Sequence, residues 1–132
     1  MIAIVICTMD DRLAPFIGEW TVTASLSDQP GRATFEWILD GRFVIQRLEV
    51  PHPDAPDSIA IFDGHVQHYF DSRGVTRRYE MTIEDGVWTL WRDEPGFAQR
   101  FTGTFSADGN TIAGAWELNG AKDFDLKYTR DR

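Results

Sequence analysis

Tyr79-Glu80-Met81-Thr82-Ile83-Glu84-Asp85-Gly86-Val87-Trp88-Thr89-Leu90-Trp91-Arg92-Asp93 is the stretch whose reading decides the fold. Two alternating runs flank Asp85-Gly86. Glycine reaches positive φ without a Cβ clash, and Asp-Gly between alternating apolar runs is the strongest short-range signal for a β-hairpin. The same punctuation recurs at Asp40-Gly41, Asp63-Gly64, Arg73-Gly74, Asp108-Gly109 and Asn119-Gly120. The runs so cut are nearly all of hairpin-strand length, once the proline stretch Pro51 to Pro56 and Glu94-Pro95-Gly96 divide the two longer pieces, so the chain reads as one antiparallel meander.

Working outward, the expected strands are Glu19 to Leu26, Ala33 to Leu39, Arg42 to Val50, Ser58 to Phe62, Val66 to Ser72, Val75 to Ile83, Val87 to Asp93, Ala98 to Ser106, Thr111 to Leu118 and Lys122 to Arg130. A short helical turn, Asp10 to Ile17, precedes them, with Asp10 or Asp11 as its cap and Gly18 as its stop. Pro51, Pro53 and Pro56 cannot donate to a ladder, so that stretch is a loop on a rim. A meander of about ten strands removes its edges by curling up, and such a barrel has room for one small ligand. The expectation is an all-β chain, one antiparallel up-and-down barrel over residues 1–132, with residues 1–9 as a peripheral or misassigned extension.

Period two assigns the faces. The apolar phase points Trp20, Phe35, Trp37, Val75, Tyr79, Met81, Trp88, Leu90, Phe101, Phe105, Ile112, Trp116, Phe124, Leu126 and Tyr128 inward. The same phase carries His68, Arg77, Arg92 and Gln99 into the lumen. An unpaired buried polar group costs roughly 1–3 kcal/mol and a charge more, so those four either satisfy one another or face a cavity and meet a ligand. Trp37, His68, Arg77, Tyr79, Trp88 and Arg92 are therefore the candidate ligand-binding residues. Between Arg42 and Val50 two apolar phases compete; a bulge is expected there, with Gln46 or Arg47 inside.

Composition narrows the function classes. A net charge of -8 argues against binding a nucleic-acid backbone, and the local cluster Arg73, Arg77, Arg78 reads as a solvated strand face. Cys7 is the only cysteine, which rules out an intramolecular disulfide and points to a reducing, cytoplasmic setting. The apolar run Ile2-Ala3-Ile4-Val5-Ile6 lacks a basic flank and is far shorter than a membrane span, so neither a signal peptide nor membrane insertion is expected. The residues admit a monomer or a homodimer.

Gly18-Glu19-Trp20, entering the first strand after a helical turn, together with Tyr128-Thr129-Arg130 ending the last, resembles the calycin superfamily: lipocalins, fatty-acid-binding proteins and nitrobindin-like proteins. In that superfamily the tryptophan packs under the arginine and seals the closed end of the barrel, a cation–π contact of about 0.5–2 kcal/mol. The resemblance thus makes Trp20 and Arg130 a structural pair. The middle of the chain, His68 to Val75, Tyr79 to Met81 and Trp88 to Arg92, looks like an uncharacterised bacterial family of lipocalin-like domains. That likeness implies a fold, since similar barrels host transport, haem binding and enzymatic chemistry.

Neither haem nor another cofactor is expected, because the C-terminal stretch Lys122 to Arg132 carries no histidine of the nitrobindin kind. His65-x-x-His68 would point its rings to opposite sides of a strand and has no cysteine pair beside it, so no metal is expected; His52 lies in the proline loop. Asp123 and Asp125 flank an inward Phe124 and read as solubilising, and Asp71-Ser72-Arg73-Gly74 reads as an Asx-type turn. The leading expectation is a small hydrophobic or amphipathic ligand, partly apolar and anionic, bound in the barrel. The alternative is a barrel enzyme of cyclase or isomerase type, with His68, Tyr79 and Arg77 or Arg92 as its acid–base and anion-stabilising set.

Overall fold

A computed structural model describes residues 11–51 and 55–131. Ten antiparallel strands follow a short 3-10 turn, Ala14–Phe16: β1 (Gly18–Ala24), β2 (Gly31–Ile38), β3 (Phe43–Glu49), β4 (Ser58–Phe62), β5 (Val66–Asp71), β6 (Thr76–Glu84), β7 (Val87–Glu94), β8 (Phe97–Phe105), β9 (Thr111–Leu118) and β10 (Ala121–Arg130). Each pairs with its neighbours in sequence, and β10 returns to pair with β1, which closes the barrel. Closure leaves no strand edge open for pairing. Among the described residues no helix is long and apolar enough to cross a membrane. The N-terminal segment with Cys7, Asp10 as a cap, and His52 lie outside the described residues.

The two ends differ. At one end the 3-10 turn enters the barrel, and Phe16, fully buried, meets the rings of Trp88 at 4.8 Å, Phe105 at 5.1 Å, Phe62 at 5.2 Å and Phe35 at 5.4 Å. Edge-on and tilted aromatic contacts of this kind fill space that ten strands cannot fill with aliphatic side chains alone. The helical turn is shorter than Asp10 to Ile17, and its cap is Leu13, which makes no side-chain cap hydrogen bond; an aspartate cap is not what starts it. What holds it is the burial of Leu13 and Phe16.

The seal of this end is Trp20 with Arg130. The two are cross-strand partners on β1 and β10, and the Arg130 guanidinium lies 4.1 Å from the centre of the Trp20 ring. Arg130 also donates to the carbonyls of Pro15 at 2.6 Å, Ile17 at 2.7 Å and Gly109 at 3.2 Å, while Trp20 Nε1 donates to Phe16 O at 2.8 Å. The helical turn is thus tied to the first and last strands at once. Gly18 is where the chain has to be bare: its φ is +135°, and a Cβ there would sit 2.9 Å from Arg130 Nη1.

Several expectations about the strands need correction. No bulge interrupts β3; its register with β2 and β4 is regular, Gln46 is buried inside, and Arg47 faces out beside Glu36 at 3.4 Å. The irregularity lies instead in β10, between Lys122 and Phe124. His68 is exposed and does not face the lumen; Gln67 and Tyr69 on either side of it do. Ten of the fifteen apolar residues expected inside are buried, and Trp37, Phe105, Trp116 and Phe124 are partly buried against the same core.

Candidate ligand-binding site

The closed half of the barrel is filled; the open half is not. A cavity of about 500 Å³ opens between the turns that join β1 to β2, β3 to β4 and β5 to β6. That is within the range of small-molecule sites, about 300–1,000 Å³. Trp88, Leu90, Phe101, Tyr128, Val22 and Leu126 form the inner wall. Leu26, Val50, Ala55 and Pro56 stand at the mouth, so these described residues of the proline stretch lie on the rim.

The cavity's polar groups fall into two sets. In mid-lumen, Gln46 Nε2 donates to the Tyr128 hydroxyl at 3.0 Å, and burial pushes the Tyr128 phenol up to about 12. Near the mouth, the Tyr79 hydroxyl donates to Gln99 Oε1 at 2.9 Å. Burial raises the Tyr79 phenol, opposed by a hydrogen bond and charge from Arg77 and by the charge of Arg92. Arg77, Tyr79, Arg92 and Gln99 therefore form one group on β6, β7 and β8, with Arg92 directly opposite Gln99.

Among the described lining residues the charged ones are Arg73 and Arg77. Arg73 is matched: its guanidinium meets Asp71 Oδ2 at 2.6 Å, and Asp71 also accepts from the Tyr69 hydroxyl at 2.8 Å and from the backbone N–H of Arg73 and Val75. This is the Asx-type turn expected at Asp71, and its donors hold the Asp71 carboxyl well below the usual carboxylate range, the Arg73 guanidinium first among them. Arg77 has no carboxylate within ion-pair distance among the described residues. Its guanidinium lies over rings instead, 5.0 Å from Phe97 and 5.8 Å from Tyr69. Arg92 lies 5.8 Å from the same Phe97 ring and 3.6 Å from Glu94, with its buried Nε unpartnered.

Of the six candidate residues, Arg77, Tyr79 and Trp88 line the cavity and Arg92 stands beside them. Trp37 does not line it: it pairs with Val44 next to the β2–β3 turn, at the sealed end. His68 lies outside, which takes apart the acid–base set that needed it. Gln46, Gln67, Tyr69 and Trp116 line the cavity without having been singled out. Gln67 and Tyr69 pair directly with the inward Tyr79 and Arg77, a register that only a three-residue β5–β6 turn produces. Among the described residues no group of histidine, cysteine or carboxylate side chains is arranged to hold a metal.

Solved structures share this architecture. Fatty-acid-binding protein 1 of Echinococcus granulosus superposes with a TM-score of 0.68 at 12% identity, covering 90% of this chain and 99% of that one. The fluorescent protein UnaG gives 0.65 at 13% identity over 90% of this chain and 99% of its own. A zebrafish ileal bile acid-binding protein, solved with cholic acid, gives 0.61 at 12% identity over 89% and 99%. No protein-family model and no curated protein sequence matches the chain. At such identities the likeness is one of fold alone: a closed ten-stranded antiparallel barrel shared with these proteins.

Proposed function

We propose that this barrel binds a small, partly apolar, anionic molecule in its open half, with Arg77 as the anchor of the anion. The observation that carries the reading is the pairing of an apolar, aromatic cavity of about 500 Å³ with one lining arginine that no described carboxylate neutralises. A guanidinium beside a Tyr–Gln pair suits a carboxylate, phenolate or enolate, and a charge-assisted hydrogen bond of that type contributes roughly 1.5–3 kcal/mol. Trp88, Phe101 and Leu90 suit the apolar remainder. Arg92 adds positive potential from the next strand. Neighbouring folds named for fatty acids and bile acids fit the same ligand class. A reducing, cytoplasmic setting fits the lone Cys7.

The described residues that line the cavity include no histidine and no carboxylate, so the enzyme alternative has lost its acid–base pair and binding leads. The test is quenching of tryptophan fluorescence by fatty acids, aromatic acids and their methyl esters. The acids should bind tighter than their esters, and Arg77→Met should remove that difference while leaving ester affinity within about twofold. If no acid or ester quenches well above micromolar concentration, the binding reading fails.

A further inference from the structure

We infer, resting on the binding reading above, that the ligand is a single-chain acid held head-out: its carboxylate at the rim against Arg77, its tail end against Trp88. The placement of charge along the lumen carries this. Arg77 is the second residue of β6, next to the β5–β6 turn, and so belongs to the open end. Trp88 is the second residue of β7, next to the β6–β7 turn at the sealed end, and its ring touches the Phe16 plug at 4.8 Å. From Arg77 to Ile83, the cross-strand partner of Trp88, runs six residues of β6, about 20 Å of strand.

Between the two levels the lining loses its charge: its described cations, Arg73 and Arg77, both stand at the open end. Tyr79 and Gln99 bond to each other just below Arg77, and Gln46 and Tyr128 do the same in mid-lumen. At that depth the wall is completed by Leu90, Phe101 and Trp88, whose ring lies 6.0 Å from Tyr128 and whose buried Nε1 has no partner. A carboxylate pushed to that depth would meet no cation among the described lining residues, and an unpaired buried charge is among the costliest groups a protein can hold. An alkyl end placed there removes apolar wall from water. Phe97 favours the same orientation: its ring lies under the Arg77 and Arg92 guanidiniums and keeps both at the mouth, where an anion first arrives.

The experiment uses delipidated full-length protein with 2-bromododecanoic and 12-bromododecanoic acid, because bromine quenches an indole it touches. The 12-bromo acid should quench more strongly, and its surplus should vanish in Trp88→Phe. Quenching by the 2-bromo acid should be lost mainly in Trp116→Phe, since the Trp116 ring lies 5.6 Å from Tyr79, near the mouth. Arg77→Met should weaken both acids about tenfold or more and leave methyl 12-bromododecanoate unchanged. Equal or reversed quenching of Trp88 by the two acids would overturn the head-out orientation. Should equilibrium dialysis detect no uptake of either acid, the binding reading itself falls. A second measurement needs no variant: dodecanoate labelled with carbon-13 at the carboxyl should titrate in the complex below its free pKa, whereas a raised pKa would place it away from Arg77 and overturn the proposal.

Discussion

Arg130→Met should unlock the sealed end, and the size of the effect can be worked from its contacts. Of its hydrogen bonds, the one to the exposed Pro15 carbonyl can be replaced by water and is discounted, as are the two long ones to the Gly109 carbonyl at 3.2 and 3.4 Å. The bond to the Ile17 carbonyl, at 2.7 Å and partly buried, is charge-assisted and contributes roughly 1.5–3 kcal/mol. The contact with the Trp20 ring at 4.1 Å adds about 0.5–2 kcal/mol. The loss is then about 2–5 kcal/mol, a large fraction of the total stability of a small domain, about 5–15 kcal/mol. In urea the midpoint should fall with the slope unchanged, because the surface exposed on unfolding is the same. Arg47→Met is the control: its pair with Glu36 is exposed on both sides, and such pairs contribute about 0–1 kcal/mol. Arg130→Lys should fall between, since a compact ammonium lacks the planar fork whose separate nitrogens reach the Ile17 and Gly109 carbonyls. If Arg130→Met costs no more than Arg47→Met, the seal is not what joins the helical turn to β1 and β10. A double-mutant cycle with Trp20→Phe isolates the ring term.

Three further outcomes follow from particular residues. Gly114→Ala should destabilise strongly, because a Cβ there would overlap the Thr102 carbonyl oxygen across the β8–β9 ladder; thermal unfolding checks it, and an unchanged midpoint would mean that the strands can separate freely. Stability should decline as pH rises from about 10 to about 12: the folded state holds the Tyr128 proton more tightly than the unfolded state does, so its contribution is complete below the unfolded pKa and is lost on the way up, by at most about 3 kcal/mol. Denaturant midpoints across that range should flatten in Tyr128→Phe, with Tyr69 leaving a residual slope. Asp71 works in the opposite direction, its contribution being lost as pH falls below the usual carboxylate range, and Asp71→Asn should remove that acid dependence while loosening the β5–β6 turn.

The barrel was legible in the turns, because glycine after Asp or Asn fixes where a meander reverses whatever packs around it. Faces were legible wherever one phase was plainly apolar, as on β1, β6, β7 and β10. Strand β5 shows why that rule can fail. Val66 and Phe70 suggested that His68 was inside, and a two-residue Arg73-Gly74 loop would have paired His68 with Tyr79. The loop is one residue longer: Asp71 N–H donates to the Val75 carbonyl, Ser72-Arg73-Gly74 form the turn, and Gln67 becomes the partner of Tyr79. A slip of one residue exchanges the two faces of a strand. Trp37 illustrates a different limit. Parity says inward but not how far along the axis, and its height puts it at the sealed end. Phe16 plugs the barrel from outside the strand pattern, so no periodicity announced that half of the lumen is filled.

The central claim is that the open half holds an anionic amphiphile, and native mass spectrometry of the protein purified from its own host tests it most directly. The account predicts a complex of one protein with one small molecule, released by organic extraction and found in negative-ion mode as an acid with an apolar chain. It also predicts that the retained fraction falls sharply in Arg77→Met. Bare protein that, once extracted, takes up no acid from a fatty-acid panel would contradict it.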